Sequence, residues 1–97
     1  MTETDAHRDL RHLLVGAAKA HHAVHPGPSD TWANWYAEHI YYAVPPLTTS
    51  EPTLETLEGW LVDADTRYTD EDPECDWPDC YATWILEWDA AASVRPT

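Results

Sequence analysis

The fold is decided by one stretch of the sequence, Asp30-Thr31-Trp32-Ala33-Asn34-Trp35-Tyr36-Ala37-Glu38-His39-Ile40. A related stretch follows later in the chain, Asp76-Trp77-Pro78-Asp79-Cys80-Tyr81-Ala82-Thr83-Trp84-Ile85. A shift of 45 residues places four residues of the first stretch on identical residues of the second: Trp32 on Trp77, Tyr36 on Tyr81, Ala37 on Ala82 and Ile40 on Ile85. Because Trp and Tyr are rare residues, this agreement indicates an internal repeat.

Hydrophobic residues recur at helical spacing throughout both stretches. Counted from Trp32 and from Trp77, the stripe occupies positions i, i+3, i+4, i+7, i+8 and i+11, with His39 at i+7 of the first stretch, and this is the pattern of a one-sided helix. Similar stripes begin near Ala6 and Leu54, prolines separate the segments, and no segment alternates with period two. The sequence therefore predicts an all-α, four-helix arrangement built from two tandem helix–loop–helix repeats, with helices at about 6–25, 31–44, 53–68 and 77–92.

The chain length of 97 residues predicts a single domain, 1–97, containing the repeat units 6–44 and 53–92. Short connections favour antiparallel neighbours, so we expect the two aromatic helices to meet across a pseudo-two-fold axis. The alternative is that each unit packs on another chain, which would give a homodimer. The sequence has no long apolar run and no secretory h-region, so it predicts a cytoplasmic protein.

Charge is the strongest compositional feature. The formal net charge is −13 at pH 7, and residues 50–97 hold thirteen acids against two bases. All six histidines lie in the first half of the chain. This balance excludes binding of nucleic acid or anionic membranes through a basic patch and favours a basic protein surface as the partner. The low lysine content also fits a high-GC or salt-adapted genome, in which case the acidity would reflect the host.

The two cysteines, Cys75 and Cys80, are separated by four residues, which is not the spacing of a redox or zinc motif. Acidic neighbours disfavour a thiolate, so neither is expected to be a reactive thiol. The sequence favours one partly buried thiol and one loop thiol. Pairing between them stays open at this point.

The segment from Ala20-His21-His22 through Trp32, Trp35-Tyr36-Ala37 and Ile40 resembles part of a group of small acidic helical proteins and domains from high-GC bacteria. Members of that group typically read A-H-H…D-W-P-x-W-Y-A-x-Y-[IM], and the resemblance covers about residues 10–42. The second copy matches more weakly, since Cys80 replaces the second Trp and Thr66-Arg67 replaces the histidine pair. The resemblance supports the helical repeat and implies no activity, cofactor or catalytic residue.

Histidines cluster where the first two predicted helices meet. His21 and His25 share a helix face at i, i+4, a geometry used by zinc-binding histidine pairs, and His39 could supply a third ligand. Zn is therefore a candidate cofactor, and His22 with Trp35 is a candidate ligand pocket. The competing interpretation is that His21, which lies on the apolar stripe, is a core histidine, and that the others interact with helix carbonyls.

Carboxylates are concentrated in residues 63–79, where eight acids accompany one base, Arg67. Such runs usually remain in water, but they also accelerate docking onto basic proteins. The Trp/Tyr stripes are expected to be mainly scaffold, with Trp60 and Trp88 partly exposed. The predicted partner-binding residues are Trp60, Asp63, Asp65, Asp70, Glu71, Asp72, Glu74 and Trp88.

These patterns favour a small acidic, non-enzymatic protein-binding module, an adaptor or inhibitor, that docks onto a basic partner. A special case is a DNA mimic, in which carboxylates stand where phosphates would bind. The alternative is a small-ligand or metal-binding protein that uses the His cluster between the first and second helices. The sequence has no nucleophile motif and no Gly-rich phosphate loop, so we identify no catalytic residue.

Overall fold

The computed structural model describes residues 5–24, 32–48, 50 and 52–93. These residues form four α-helices and no strand, so the all-α prediction is confirmed. The helices are α1 (Asp5–Val24), α2 (Trp32–Ile40), α3 (Leu54–Glu71) and α4 (Trp77–Ser93). Two 3₁₀ turns, Tyr41–Ala43 and Pro45–Leu47, follow α2 directly.

The helices pack in a closed cycle around one core. Helix α1 packs against α2 and α4, and α3 packs against the same two helices. The fully buried large side chains are Leu10, Leu14, Ile40, Val44, Leu57, Leu61 and Ile85. Each such aliphatic side chain stabilises the fold by about 1.5–3 kcal/mol relative to exposure. All four helices contribute to this core, and the packing of their apolar faces supplies most of their helical stability.

The two halves of the chain place corresponding residues in corresponding surroundings. Helices α2 and α4 begin at Trp32 and Trp77, 45 residues apart, and Ile40 and Ile85 are both fully buried. The first helices of the two halves, α1 and α3, correspond to each other at a shift of 47 residues. In that register the buried or half-buried stripe Leu10, Leu14, Ala17 and His21 of α1 matches Leu57, Leu61, Ala64 and Tyr68 of α3.

Helix α2 is shorter than predicted, because its α-helical part ends at Ile40 rather than near residue 44. Proline has no N–H to donate and clashes with the carbonyl four residues before it, so Pro45 and Pro46 prevent regular α-helix in the preceding turn. The chain tightens instead into the two 3₁₀ turns, and the N–H of Val44 bonds to the carbonyl of Tyr41 at 3.3 Å. Val44 is thereby buried in the core.

Helix α3 is longer than predicted and extends to Glu71 rather than 68. At its start, the Thr53 hydroxyl accepts a hydrogen bond from the N–H of Thr56 at 3.1 Å, an N-cap. At its end, Arg67 pairs with Glu71 at 2.7 Å. Asp72 closes the helix in a left-handed conformation, φ 43°, and donates its N–H to the carbonyl of Tyr68. These contacts hold a C-terminal turn whose acids oppose the helix dipole.

Cys75 and Cys80 form a disulfide, with Cα atoms 5.9 Å apart. The prediction of one partly buried thiol and one loop thiol was therefore wrong. The spacing of four residues is too wide for a C-x2-C motif, but the α3–α4 turn folds back and brings the two residues together. Cys80 is buried in the first turn of α4, so the disulfide anchors the turn to the core.

A second connection lies at the other end of α4. The backbone N–H and the hydroxyl of Ser50 both donate to Oδ1 of Asp89, at 2.8 and 2.5 Å. Asp89 is almost completely buried, and a buried carboxylate requires such donors. This pair fixes the connector between the two halves of the chain to the last helix.

Candidate functional site

A pocket of about 260 Å³ lies between α2, α3 and α4. Its lining consists of Trp32, Tyr36, Asp65, Trp77 and Tyr81. The four aromatic residues are the two repeated Trp/Tyr pairs, each spaced i, i+4 on its own helix, so that both rings of a pair face the same side. The aromatic part of the lining therefore comes from the part of the sequence that the two halves share.

The aromatic rings of the pocket are inclined to one another and do not form a flat stack. Trp32 and Tyr36 have ring centroids 5.3 Å apart with an angle of 84° between the planes. Trp77 and Tyr81 repeat this arrangement at 5.1 Å and 71°. Tyr36 contacts Trp77 at 6.4 Å and 51°, which joins the two pairs across the α2–α4 junction. The inclined rings border an open concavity at the protein surface.

One carboxylate borders the aromatic rings. The Tyr81 hydroxyl donates a hydrogen bond of 2.8 Å to Oδ1 of Asp65 on α3. Burial first, and then this hydrogen bond and the negative charge of Asp65, raise the pKa of the Tyr81 hydroxyl far above its usual value of 10. Burial also raises the pKa of Tyr36. Both tyrosines are therefore neutral at physiological pH, and Asp65 supplies the negative charge of the lining.

Polar contacts position the helices that carry the pocket. Asn34 on α2 donates from Nδ2 to Glu58 on α3 at 3.2 Å. His7 on α1 approaches Asp79 on α4, with Nε2 3.2 Å from Oδ1. Each contact joins two neighbouring helices. It therefore limits how far the helices can slide past one another.

The acids predicted to bind a partner are arranged around the α3–α4 turn. Asp70, Asp72 and Glu74 are exposed, and Asp63 is exposed earlier on α3. Glu71 is also exposed but pairs with Arg67. The Arg67 guanidinium lies 4.4 Å from the centroid of the Trp84 ring, so this base is held against the protein surface. The acidic surface consists of Asp63, Asp70, Glu71, Asp72 and Glu74.

The two tryptophans predicted to join that surface lie away from its loop acids, although Asp63 follows Trp60 by one turn of α3. Trp60 and Trp88 are half-buried and pack against the core. Each is eleven residues from the α3–α4 turn along its helix, or about 16 Å at 1.5 Å per residue. The structure thus separates these two rings from the loop acids. Asp65, another predicted partner residue, is engaged with Tyr81 at the pocket instead.

The predicted His cluster is arranged around Trp35. His21 is buried and makes a T-shaped contact with Trp35, with ring centroids 5.2 Å apart, and it also contacts Tyr36. His39 stacks on Trp35 at 4.9 Å with planes 10° apart. His22 is exposed. This arrangement agrees with His21 as a core histidine, since Tyr68 occupies the matching position on α3 and contacts Tyr81 in the same way.

The metal prediction involved His21, His25 and His39, and His25 lies outside the described residues. Over residues 5–24, 32–48, 50 and 52–93, no group of three or more His, Cys, Asp or Glu side chains has the arrangement of a metal site.

No helix in the described part of the chain is long and apolar enough to cross a membrane.

The prediction that the Trp/Tyr stripes are mainly scaffold leaves Trp32, Tyr36 and their repeats without a role in a site. The signal was nevertheless present in the repetition of a Trp/Tyr pair at i, i+4 in both halves. What the sequence could not give was the packing that turns both pairs toward Asp65.

Comparison with family models, curated proteins and solved structures finds no match to this chain.

Proposed function

We propose that this chain is a small acidic, non-enzymatic protein-binding module that docks onto a basic partner. The observation that carries the proposal is the acidic surface, in which four exposed carboxylates lie at the α3–α4 turn, a fifth lies earlier on α3, and the one base among them is already paired. Opposite charge on a partner would steer encounter and fix orientation, because long-range attraction accelerates association.

The turn that carries these acids is well held, which supports a docking role. The Cys75–Cys80 disulfide and the Tyr68 hydroxyl, which donates to the carbonyl of Cys75 at 3.0 Å, fix the turn against α3 and α4. A surface that is already ordered loses little conformational entropy on binding. A partner whose own basic groove normally holds nucleic acid would make this module a DNA mimic.

The experiment is affinity capture from the native host, followed by quantitative binding of the purified partner. The test variant is Asp70→Asn/Asp72→Asn/Glu74→Gln. The matched control, Glu38→Gln/Glu55→Gln/Glu87→Gln, removes the same charge from exposed positions elsewhere. At about 0.5 kcal/mol for each exposed charge, we expect roughly tenfold weaker binding for the test variant and a much smaller loss for the control.

Salt provides the second readout. Binding through the acidic surface should weaken steeply between about 0.05 and 0.5 M salt, because the Debye length shortens over that range. Affinity that does not change with salt, or equal losses in the two triple variants, would contradict docking through this surface. Competition by double-stranded DNA for the partner would identify the DNA-mimic case.

A further inference from the structure

We propose that the pocket between α2, α3 and α4 binds a quaternary ammonium group, carried by a choline-like small molecule or by a trimethyllysine side chain. The ligand would sit against Trp32, Tyr36, Trp77 and Tyr81 with Asp65 beside it. This inference concerns a different part of the molecule from the acidic surface and does not depend on docking there.

The aromatic rings supply the attraction for such a cation. The face of an aromatic ring carries negative electrostatic potential, and a cation within about 6 Å of the ring centroid is attracted to it. Successive rings around the pocket have centroids 5.1–6.4 Å apart and planes inclined by 51–84°. A group seated in this concave space would therefore contact several rings at once, and the attractions would add.

Charge selects a cation over a neutral group of the same shape. The lining contains one carboxylate and no Lys, Arg or His side chain. The hydrogen bond from Tyr81 holds Asp65 beside the rings at 2.8 Å, so the negative charge is in place before any ligand arrives. Lys19 borders a different cavity, on the α1 side of Trp77, and is not part of this lining.

A methylated ammonium is favoured over a primary one because the pocket lining offers few hydrogen-bond acceptors. A primary ammonium is strongly hydrated and brings three hydrogen-bond donors, which must be satisfied when water is removed. Ring faces offer little to such donors, and apart from the Asp65 carboxylate, whose Oδ1 already accepts from Tyr81, the lining side chains offer as acceptors only the tyrosine hydroxyls. A quaternary nitrogen has no donor and loses less hydration. The pocket volume of about 260 Å³ suits a small head group and lies below the roughly 300–1,000 Å³ typical of drug-sized ligands.

The primary test compares choline with 3,3-dimethylbutan-1-ol, which has the same shape but no charge. Both are titrated into the intact chain by calorimetry and by two-dimensional NMR of the indole N–H groups. We expect choline to bind at least tenfold more tightly and to shift the Trp32 and Trp77 signals. Equal affinities, or no binding of choline at millimolar concentrations, would overturn the proposal.

Variants locate the site. Asp65→Asn removes the charge and keeps an oxygen that can accept from Tyr81, while Trp32→Leu and Trp77→Leu each remove one wall. Trp88→Leu is the matched control, a half-buried tryptophan outside the pocket lining. We expect roughly tenfold weaker choline binding in each pocket variant and unchanged binding in the control, with native circular dichroism confirming the fold. Unchanged affinity in folded Asp65→Asn and Trp77→Leu would refute the assignment.

A final arm identifies the source of the quaternary group. Peptides containing lysine or trimethyllysine in an otherwise identical neutral sequence are compared with choline. Tighter binding of the trimethyllysine peptide than of choline indicates a protein ligand, and the reverse indicates a small molecule. In either case we expect the unmethylated peptide to bind more weakly than its trimethylated form, and equal binding of the two peptides would contradict the proposal.

Discussion

The Tyr81 hydroxyl donates its hydrogen bond to a carboxylate, Asp65, across the α3–α4 interface at 2.8 Å. Tyr81 is buried, and Asp65 can be reached from solvent. The bond therefore joins the core of the molecule to the wall of its pocket. It also keeps the phenol protonated, because ionisation would place two negative charges side by side.

We predict that stability falls at alkaline pH through the two tyrosines of the pocket. The pKa values of Tyr81 and Tyr36 are raised in the folded chain above the ordinary value of 10. Above about pH 10 the unfolded chain releases protons that the folded chain retains, so the free energy of unfolding decreases as pH rises. Below that pH these two groups contribute no pH dependence.

The measurement is urea unfolding at about pH 8 and about pH 11. Tyr81→Phe should lose about 0.5–1.5 kcal/mol at the lower pH, the value of one hydrogen bond, and should show a smaller further loss at the higher pH. Tyr42→Phe is the control, because Tyr42 is exposed. An identical alkaline loss in wild type and Tyr81→Phe would show that Tyr81 is not responsible.

We predict that reduction of the Cys75–Cys80 disulfide destabilises the chain moderately. The bond closes a loop of about six residues, for which chain entropy gives about 2 kcal/mol. In a domain of this size, that corresponds to a melting temperature lower by about 10 °C. Thermal unfolding with and without a phosphine reductant measures the shift. Cys75→Ser/Cys80→Ser should melt like the reduced protein and should not respond to reductant.

We predict that Asp89→Ala costs about 2–3 kcal/mol. The substitution leaves the partly buried N–H and hydroxyl of Ser50 without the oxygen to which both now donate. Asp89→Asn keeps one acceptor oxygen and should cost less. Glu87→Ala, at an exposed position two residues earlier, should change stability by less than about 0.5 kcal/mol. Equal losses for the alanine variants at 87 and 89 would argue against the Ser50–Asp89 connection.

We predict similar costs for Ile40→Ala and Ile85→Ala, about 2–5 kcal/mol each. Both side chains are completely buried and occupy matching positions in the two halves of the chain. Val62→Ala is the surface control, because Val62 is 45 % exposed. Chemical unfolding measures all three. A large loss for one isoleucine and little for the other would mean that the halves contribute unequally to the core.

Helix positions were largely predictable, because the spacing of Leu and Trp residues fixes which faces are buried. The same spacing could not place the end of α2, since the two prolines act on the turn before them and the chain continues as 3₁₀ turns. The extension of α3 to Glu71 depends on the Arg67–Glu71 pair and on Asp72, whose left-handed conformation is unusual for a residue other than glycine.

The candidate site was less predictable than the fold. The acid-rich segment 63–79 predicts Asp65 as a partner-binding residue, whereas its contact in the structure is Tyr81, sixteen residues away. The stacking of His39 on Trp35 also depends on packing and not on spacing alone. The repeated Trp/Tyr pairs indicate which residues belong to the pocket lining. Only the packing of α2, α3 and α4 determines which of them share one pocket.

The pocket receives one aromatic pair from each half of a single polypeptide, and this has a consequence for how it can evolve. If two identical half-length chains had to form such a cavity, every substitution would appear on both sides of it. In this chain each wall can change alone. Asp65 illustrates the freedom, because the matching position on α1, counted from the buried stripe, is Ala18. The carboxylate thus stands on one side of the cavity only. A symmetric assembly of identical half-length chains could not have this asymmetry.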